Sequence, residues 1–157
     1  MIIRIFNKCI RELYRFFHPR LWGKAMQING LPRIYDIRHL SIGSNVAINA
    51  GCVLQCYGGV KIGNNVTISD GAKILSRSLD ISDYKHNAEK AERDHIDKTV
   101  VIEDGVWICA NAIVLPGVSI ARNVIVASGA VVTKTLYKEN TVYGGIPAIE
   151  IRHLEAK

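Results

Sequence analysis

Residues 102–131 read IEDGVW-ICANAI-VLPGVS-IARNVI-VASGAV, five units of six. Ile102, Ile108, Val114, Ile120, Val126 and Val132 mark the beat. Val106, Ala112, Val118, Val124 and Ala130 follow four places behind. The slot before each of these holds Gly105, Asn111, Gly117, Asn123 or Gly129. Glycine and asparagine accept left-handed backbone more readily than other residues. Six is a multiple of two, so a strand keeps one face inward across such a unit. A turn after each short strand closes a triangle in three units, and stacked triangles pair each strand with the next coil. Hexapeptide repeats of this kind mark parallel β-helices. An antiparallel sandwich would not hold one phase over so many marks.

Upstream the beat returns as IGSNVA, INAGCV, IGNNVT and ISDGAK, starting at Ile42, Ile48, Ile62 and Ile68. Between them LQCYGGVK runs eight residues, which predicts a coil two residues longer or bulged. LPRIYDIRHL leads into the first coil. One interruption, LSRSLDISDYKHNAEKAERDHIDK (75–98), is polar and charged. The expected organisation is an N-terminal helical segment (1–30), a β-helix (31–147) with an extruded loop (76–99), and a tail (148–157).

The chain has 157 residues and 48% apolar composition, which suits one domain with a real core. Cys9, Cys52, Cys56 and Cys109 lack metal or redox spacing and read as small buried hydrophobes in a reducing cytoplasm. No apolar run spans a membrane, and MIIRIFNKCIRELYRFF is not a signal peptide, being broken by Arg4, Lys8 and Arg11. The expected location is cytoplasmic. A formal charge of +6 fits a phosphate-bearing ligand or an anionic membrane. Nothing matches a nucleic-acid motif. Residues 2–17 alternate apolar and basic positions at helical spacing. Two readings stand: a cap on the open end of the β-helix, or, through residues 1–20, a peripheral contact with the inner membrane face.

VWICANAIVLPGVSI, VASGAVVTK and VYGGIPAIEIR resemble signatures of the hexapeptide-repeat acyltransferases, over roughly residues 34–152. Within that family the chain most resembles the galactoside/maltose type of sugar and polysaccharide O-acetyltransferase. The resemblance implies an all-β fold, a left-handed parallel β-helix, assembled as a homotrimer with sites between subunits. It implies acetyl transfer from acetyl-CoA to a hydroxyl of a sugar or glycan, direct and with a histidine general base. It places Trp107 and Ala110 in the pantetheine groove, Ser128 and Thr133 against the cofactor, and Lys134 and Arg152 at phosphates. Cys109 and Ala121 stand where glycines are usual, and Ile149 where a basic residue is common.

Leu79 stands where the galactoside/maltose type keeps its histidine. His95, flanked by Asp94 and Asp97 that could orient an imidazole, is the first candidate base. His86, with Asp80 and Asp83 near it in sequence, is the second, and a degenerate site is the third reading. His39 opens the first repeat; His18 and His153 read as surface residues. No metal is expected: a zinc site on this fold would need three histidines on adjacent coils, and the repeats hold none beyond His39. Serine or amino-sugar acetylation, and a non-catalytic β-helix module, remain as alternatives.

Overall fold

The computed structural model describes residues 26–155 and Phe16. The expected N-terminal helix, His18, Cys9 and the 1–20 membrane contact lie outside the described residues, apart from Phe16, which is helical and exposed. The chain winds into a parallel β-solenoid of about six turns. Strands β1 (Met26–Asn29), β2 (Arg33–Tyr35) and β3 (Leu40–Ile42) form the first coil, so strand pairing already starts inside the 1–30 segment. Strands β4 (Val46–Asn49), β5 (Val53–Gln55) and β6 (Val60–Ile62) form the second. The third holds β7 (Thr67–Ile68) and β8 (Lys73–Leu75). The chain then leaves as β9 (Arg77–Leu79), helix α1 (Tyr84–Ala88) and β10 (His95–Asp97), and closes the coil with β11 (Val100–Ile102). The fourth coil is β12 (Trp107–Ile108), β13 (Ile113–Val114) and β14 (Ser119–Ile120). The fifth is β15 (Ile125–Val126), β16 (Val131–Val132) and a bridge from Leu136 to Ile120. Strand β17 (Thr141–Gly144) opens the sixth, and β18 (Ile149–His153) turns back antiparallel along its edge.

Three parallel sheets result. Face A carries the first strand of each coil, face B the second and face C the third. Register follows the beat: Ile48 pairs with Ile68, Ile108 with Val126, Val114 with Val132 and Ile102 with Ile120. Every hexad mark from Ile102 to Val132 is at most 1% exposed, and the second set at most 2%. The core is this inward row, stacked coil on coil. Each predicted turn residue has left-handed backbone, from Asn123 at φ 54° to Gly117 at φ 83°. At the corner between faces C and A, Asn45 donates to Asn65 and Asn123 to Asn140, both at 2.9 Å, so the turn residues also bond successive coils to one another.

The early coils are longer at one place. Ile34, Leu54 and Ile74 are stacked partners at intervals of twenty residues, whereas Val114 and Val132 are eighteen apart. The excess lies between faces B and C, the corner where LQCYGGVK sits and where the third coil extrudes its loop. Cys52, Cys56 and Cys109 are buried free thiols, and burial pushes the Cys56 thiol up to about 12. They pack as the small hydrophobes their spacing implies.

Candidate active site

The loop stands on a short antiparallel ladder. Arg77 pairs with Asp97, Ser78 with Ile96 and Leu79 with His95. Arg77 donates from Nε to Asp97 Oδ1 at 2.6 Å and from Nη2 to Oδ2 at 2.7 Å. This planar, two-pronged bond is the strong form of ion pair. It holds the Asp97 carboxyl below its usual range, and the charges of His95 and His39 push the same way. The guanidinium lies 4.1 Å from the centre of the Tyr57 ring. Ser76 and Lys98 form the foot below this ladder. Lys98 donates its amide to the Ser76 carbonyl, and Gly58 donates its amide to Ser76 Oγ, each at 2.9 Å. Thr99 Oγ1 donates to the Gly58 carbonyl at 2.7 Å. The hairpin is therefore fixed to the long corner of the second coil.

His95 is exposed and stands directly opposite Leu79. Residues facing each other in an antiparallel ladder project to the same side, with Cβ atoms about 5 Å apart. The two acids expected to orient its ring have other partners. Asp97 gives both oxygens to Arg77, and Asp94 accepts from Lys90 Nζ at 2.6 Å. His86 sits on α1 and lines a depression of about 230 Å³ with Asp80, Ser82, Asp83, Lys90 and Asp94. The structure thus brings His86 together with both acids named beside it. Asp80 accepts the Ser82 amide at 2.8 Å, and that bond holds its carboxyl below the usual range. Among the described residues, no group of three or more histidine, cysteine or acidic side chains could hold a metal ion.

The donor-side residues divide between two places on the prism. Trp107 projects from face A, 46% exposed, and donates from Nε1 to Ser69 Oγ at 2.9 Å. Ala110 and Ser128 lie on the corner between faces A and B, where Gly129 donates its amide to the Ala110 carbonyl at 2.9 Å. Arg152 lies exposed on β18, paired with Val142 at the edge of face A. Thr133 and Lys134 are exposed on the corner between faces B and C, two coils beyond the loop. Face A is the side of the triangle opposite that corner. A single chain therefore joins the loop histidines to Thr133 and Lys134 along one corner, but not to Trp107, Ala110, Ser128 or Arg152. Sequence reasoning missed Arg77, Tyr57 and Asp36. Asp36 accepts from Arg38 Nε at 2.8 Å and approaches His39 Nδ1 at 3.1 Å. Its i,i+3 spacing to His39 was the available signal, visible only with a 3-10 turn over Ile37–His39.

Residues 99–134 match the bacterial transferase hexapeptide family, six repeats. A Schizosaccharomyces pombe protein named as an acetyltransferase is 32% identical over 74% of this chain and 54% of its own length. The galactoside O-acetyltransferase of Lactococcus lactis is 35% identical over 60% of this chain and 41% of its own. The chain thus spans about half the length of the curated relatives it matches. Among solved structures, a hexapeptide-repeat acetyltransferase of Vibrio cholerae, complexed with acetyl coenzyme A, superposes with a TM-score of 0.75. It is 25% identical, and the match covers 92% of this chain and 79% of that one. Repeat, coil geometry and solved neighbour agree: the chain carries the bacterial transferase hexapeptide repeat over residues 99–134 and shares its β-solenoid with a hexapeptide-repeat acetyltransferase.

Proposed function

We propose that the protein is an acetyl-CoA-dependent O-acetyltransferase acting on a hydroxyl of a sugar or glycan, with His95 as general base. The observation that carries this reading is the pairing of His95 with Leu79. The position where the galactoside/maltose type keeps its base is apolar here. The residue directly across the ladder, projecting to the same side, is an exposed histidine. A histidine moved across one rung of a hairpin stays on the same side of it, within a side chain's reach of the original position.

In the reaction, His95 takes the proton of the acceptor hydroxyl as its oxygen attacks the thioester carbonyl. The new C–O bond forms, the C–S bond breaks as the tetrahedral centre collapses, and the leaving thiolate receives the proton from the imidazolium. Lys134 and Arg152 are exposed cations suited to phosphates. Trp107 offers a flat apolar wall, its indole steadied by Ser69. These groups stand on two sides of the prism, so the site is completed between neighbouring chains of a homotrimer. Face B supports such packing. Its outward positions include Val53, Leu75, Ile113, Leu115 and Val131, each half-buried in one chain, with Gln55 and Lys73 interleaved among them.

The test is thioester consumption with a panel of sugars, alongside light scattering for assembly. Wild type should turn over as a trimer. His95→Ala should lose about a thousandfold in kcat, within the range for a general base, while still binding coenzyme A. Near-normal turnover by that variant refutes the base assignment. No turnover by wild type with any hydroxyl or amine acceptor points to a non-catalytic module.

A further inference from the structure

The reaction leaves one oriented imidazole unused. Six non-glycine residues among those described adopt left-handed backbone, and five are asparagines. The sixth is Asp36, at φ 53°. Asparagine and aspartate both tolerate this conformation, so the turn alone does not ask for a carboxylate. Asp36 uses its charge. Its side chain is 11% exposed, accepts from Arg38 at 2.8 Å, and holds His39 Nδ1 at 3.1 Å. The Arg38 bond first, then the His39 charge, pull its carboxyl below the usual range against the cost of burial. With Nδ1 engaged, Nε2 is the end of the His39 ring that can meet a ligand. The ring is 53% exposed.

Register stacks the corner between faces B and C coil on coil: Tyr35 pairs with Gln55, and the Cys56 amide donates to the Tyr35 carbonyl at 2.9 Å. The first coil supplies Asp36 and His39, and the second supplies Tyr57. The loop's ladder supplies Arg77, stacked on Tyr57 at 4.1 Å and bonded to Asp97, and His95 follows. Asp97, which Arg77 holds through both oxygens, lies on the same strand as His95. Thr133 and Lys134 lie on the same corner beyond the loop, toward the C-terminal end. The hairpin thus separates a cationic side from a side where each carboxylate is matched by a guanidinium.

We propose that His39, oriented by Asp36, binds the acceptor beside His95, and that this N-terminal side of the loop is the acceptor subsite for a neutral polyhydroxyl ring. The inference rests on the transferase reading. The ligand class follows from what the surface offers. Its charges are internally paired, so it does not call for an ionic ligand. Its available groups are hydrogen-bonding edges and the flat Tyr57–Arg77 stack, which suit vicinal hydroxyls and the face of a sugar ring.

Steady-state kinetics of the full chain with methyl glycosides test it. His39→Ala should raise the acceptor KM tenfold or more while the acetyl-CoA KM stays within twofold. Asp36→Asn keeps the turn residue type and removes the charge, so it should raise the acceptor KM by a smaller factor, with an unchanged melting temperature. Unchanged acceptor KM in His39→Ala, or a parallel rise in both KM values, overturns the inference while leaving the His95 result intact. Should wild type turn over none of the glycosides, saturation-transfer NMR with the same compounds decides. A wild-type signal lost in His39→Ala supports the subsite, and no wild-type signal refutes it.

Discussion

Gly58→Ala tests whether the loop foot sets the reactive geometry. A Cβ on Gly58 would overlap the Ser76 carbonyl and lie 2.6 Å from the Lys98 nitrogen and 3.0 Å from the Asp97 carbonyl carbon. All three are backbone atoms, so no side chain can swing aside. Relief requires the foot to retreat by about 1 Å to reach ordinary contact. That retreat breaks the Gly58 amide bond to Ser76 Oγ and the Thr99 hydroxyl bond to the Gly58 carbonyl. At about 1 kcal/mol each, the loss is about 2 kcal/mol, or a fall in Tm of roughly 4–8 °C for a domain of this size. The effect on rate should be larger. His95 rides on the displaced hairpin, and a misplacement of about 1 Å can cost about a hundredfold in rate. Gly51→Ala is the control. Its φ of 70° makes alanine strained, but the nearest atom to the added Cβ, the Gly71 nitrogen, is 3.8 Å away and the site is a different corner. Calorimetry and kcat/KM on both variants separate the cases. If Gly58→Ala keeps wild-type kcat/KM, or loses no more than Gly51→Ala, the foot does not position His95.

Two further outcomes concern the scaffold and the ladder. Ile108 is fully buried between Ile68 and Val126, so Ile108→Ala should lower unfolding free energy by about 2–5 kcal/mol. A loss under about 1 kcal/mol in denaturant titration would contradict tight stacking at that coil. The Asp97 carboxyl is held low chiefly by Arg77. A depressed folded-state pKa adds stability that is present above the unfolded value of about 3.9 and fades as pH falls through the folded one. The ladder should therefore stay closed through the ordinary carboxylate range and loosen only below it. Carboxyl NMR of Asp97 should show a midpoint under that of a surface aspartate; a midpoint at or above it would show the bidentate pair is not maintained in solution.

The scaffold was legible because its information is local. Each hexad carries its own inward residue and turn residue, and nothing distant is needed to place Ile108 or Gly117. The start of the coil was less so. Met26–Asn29 pairs with Val46–Asn49, but MQIN precedes any glycine or asparagine turn slot on the six-residue beat. The site was legible only in part. His95 could be picked out by composition, but its pairing with Leu79 depends on hairpin register. A register across the fifteen residues of the loop tip is fixed by no two-residue turn signal. Arg77 and Asp97, twenty positions apart, meet only through that register. The acids next to His95 in sequence misled because Asp97 gives both oxygens to Arg77 across the ladder and Asp94 accepts from Lys90.

The long corner has one more consequence. Excess residues gather at a single vertex of the triangle, while the three inward rows keep their phase above and below it. Lengthening a surface loop is thermodynamically mild, about 0.6 kcal/mol for each doubling, provided both ends remain anchored. Here the anchors are the bonds among Gly58, Ser76, Lys98 and Thr99 at the loop's foot and the Arg77–Asp97 pair above them, not its tip. The tip between Leu79 and His95 can accordingly be exchanged as a cassette, and chimeras that keep both strands of the ladder leave His95 and the prism in place.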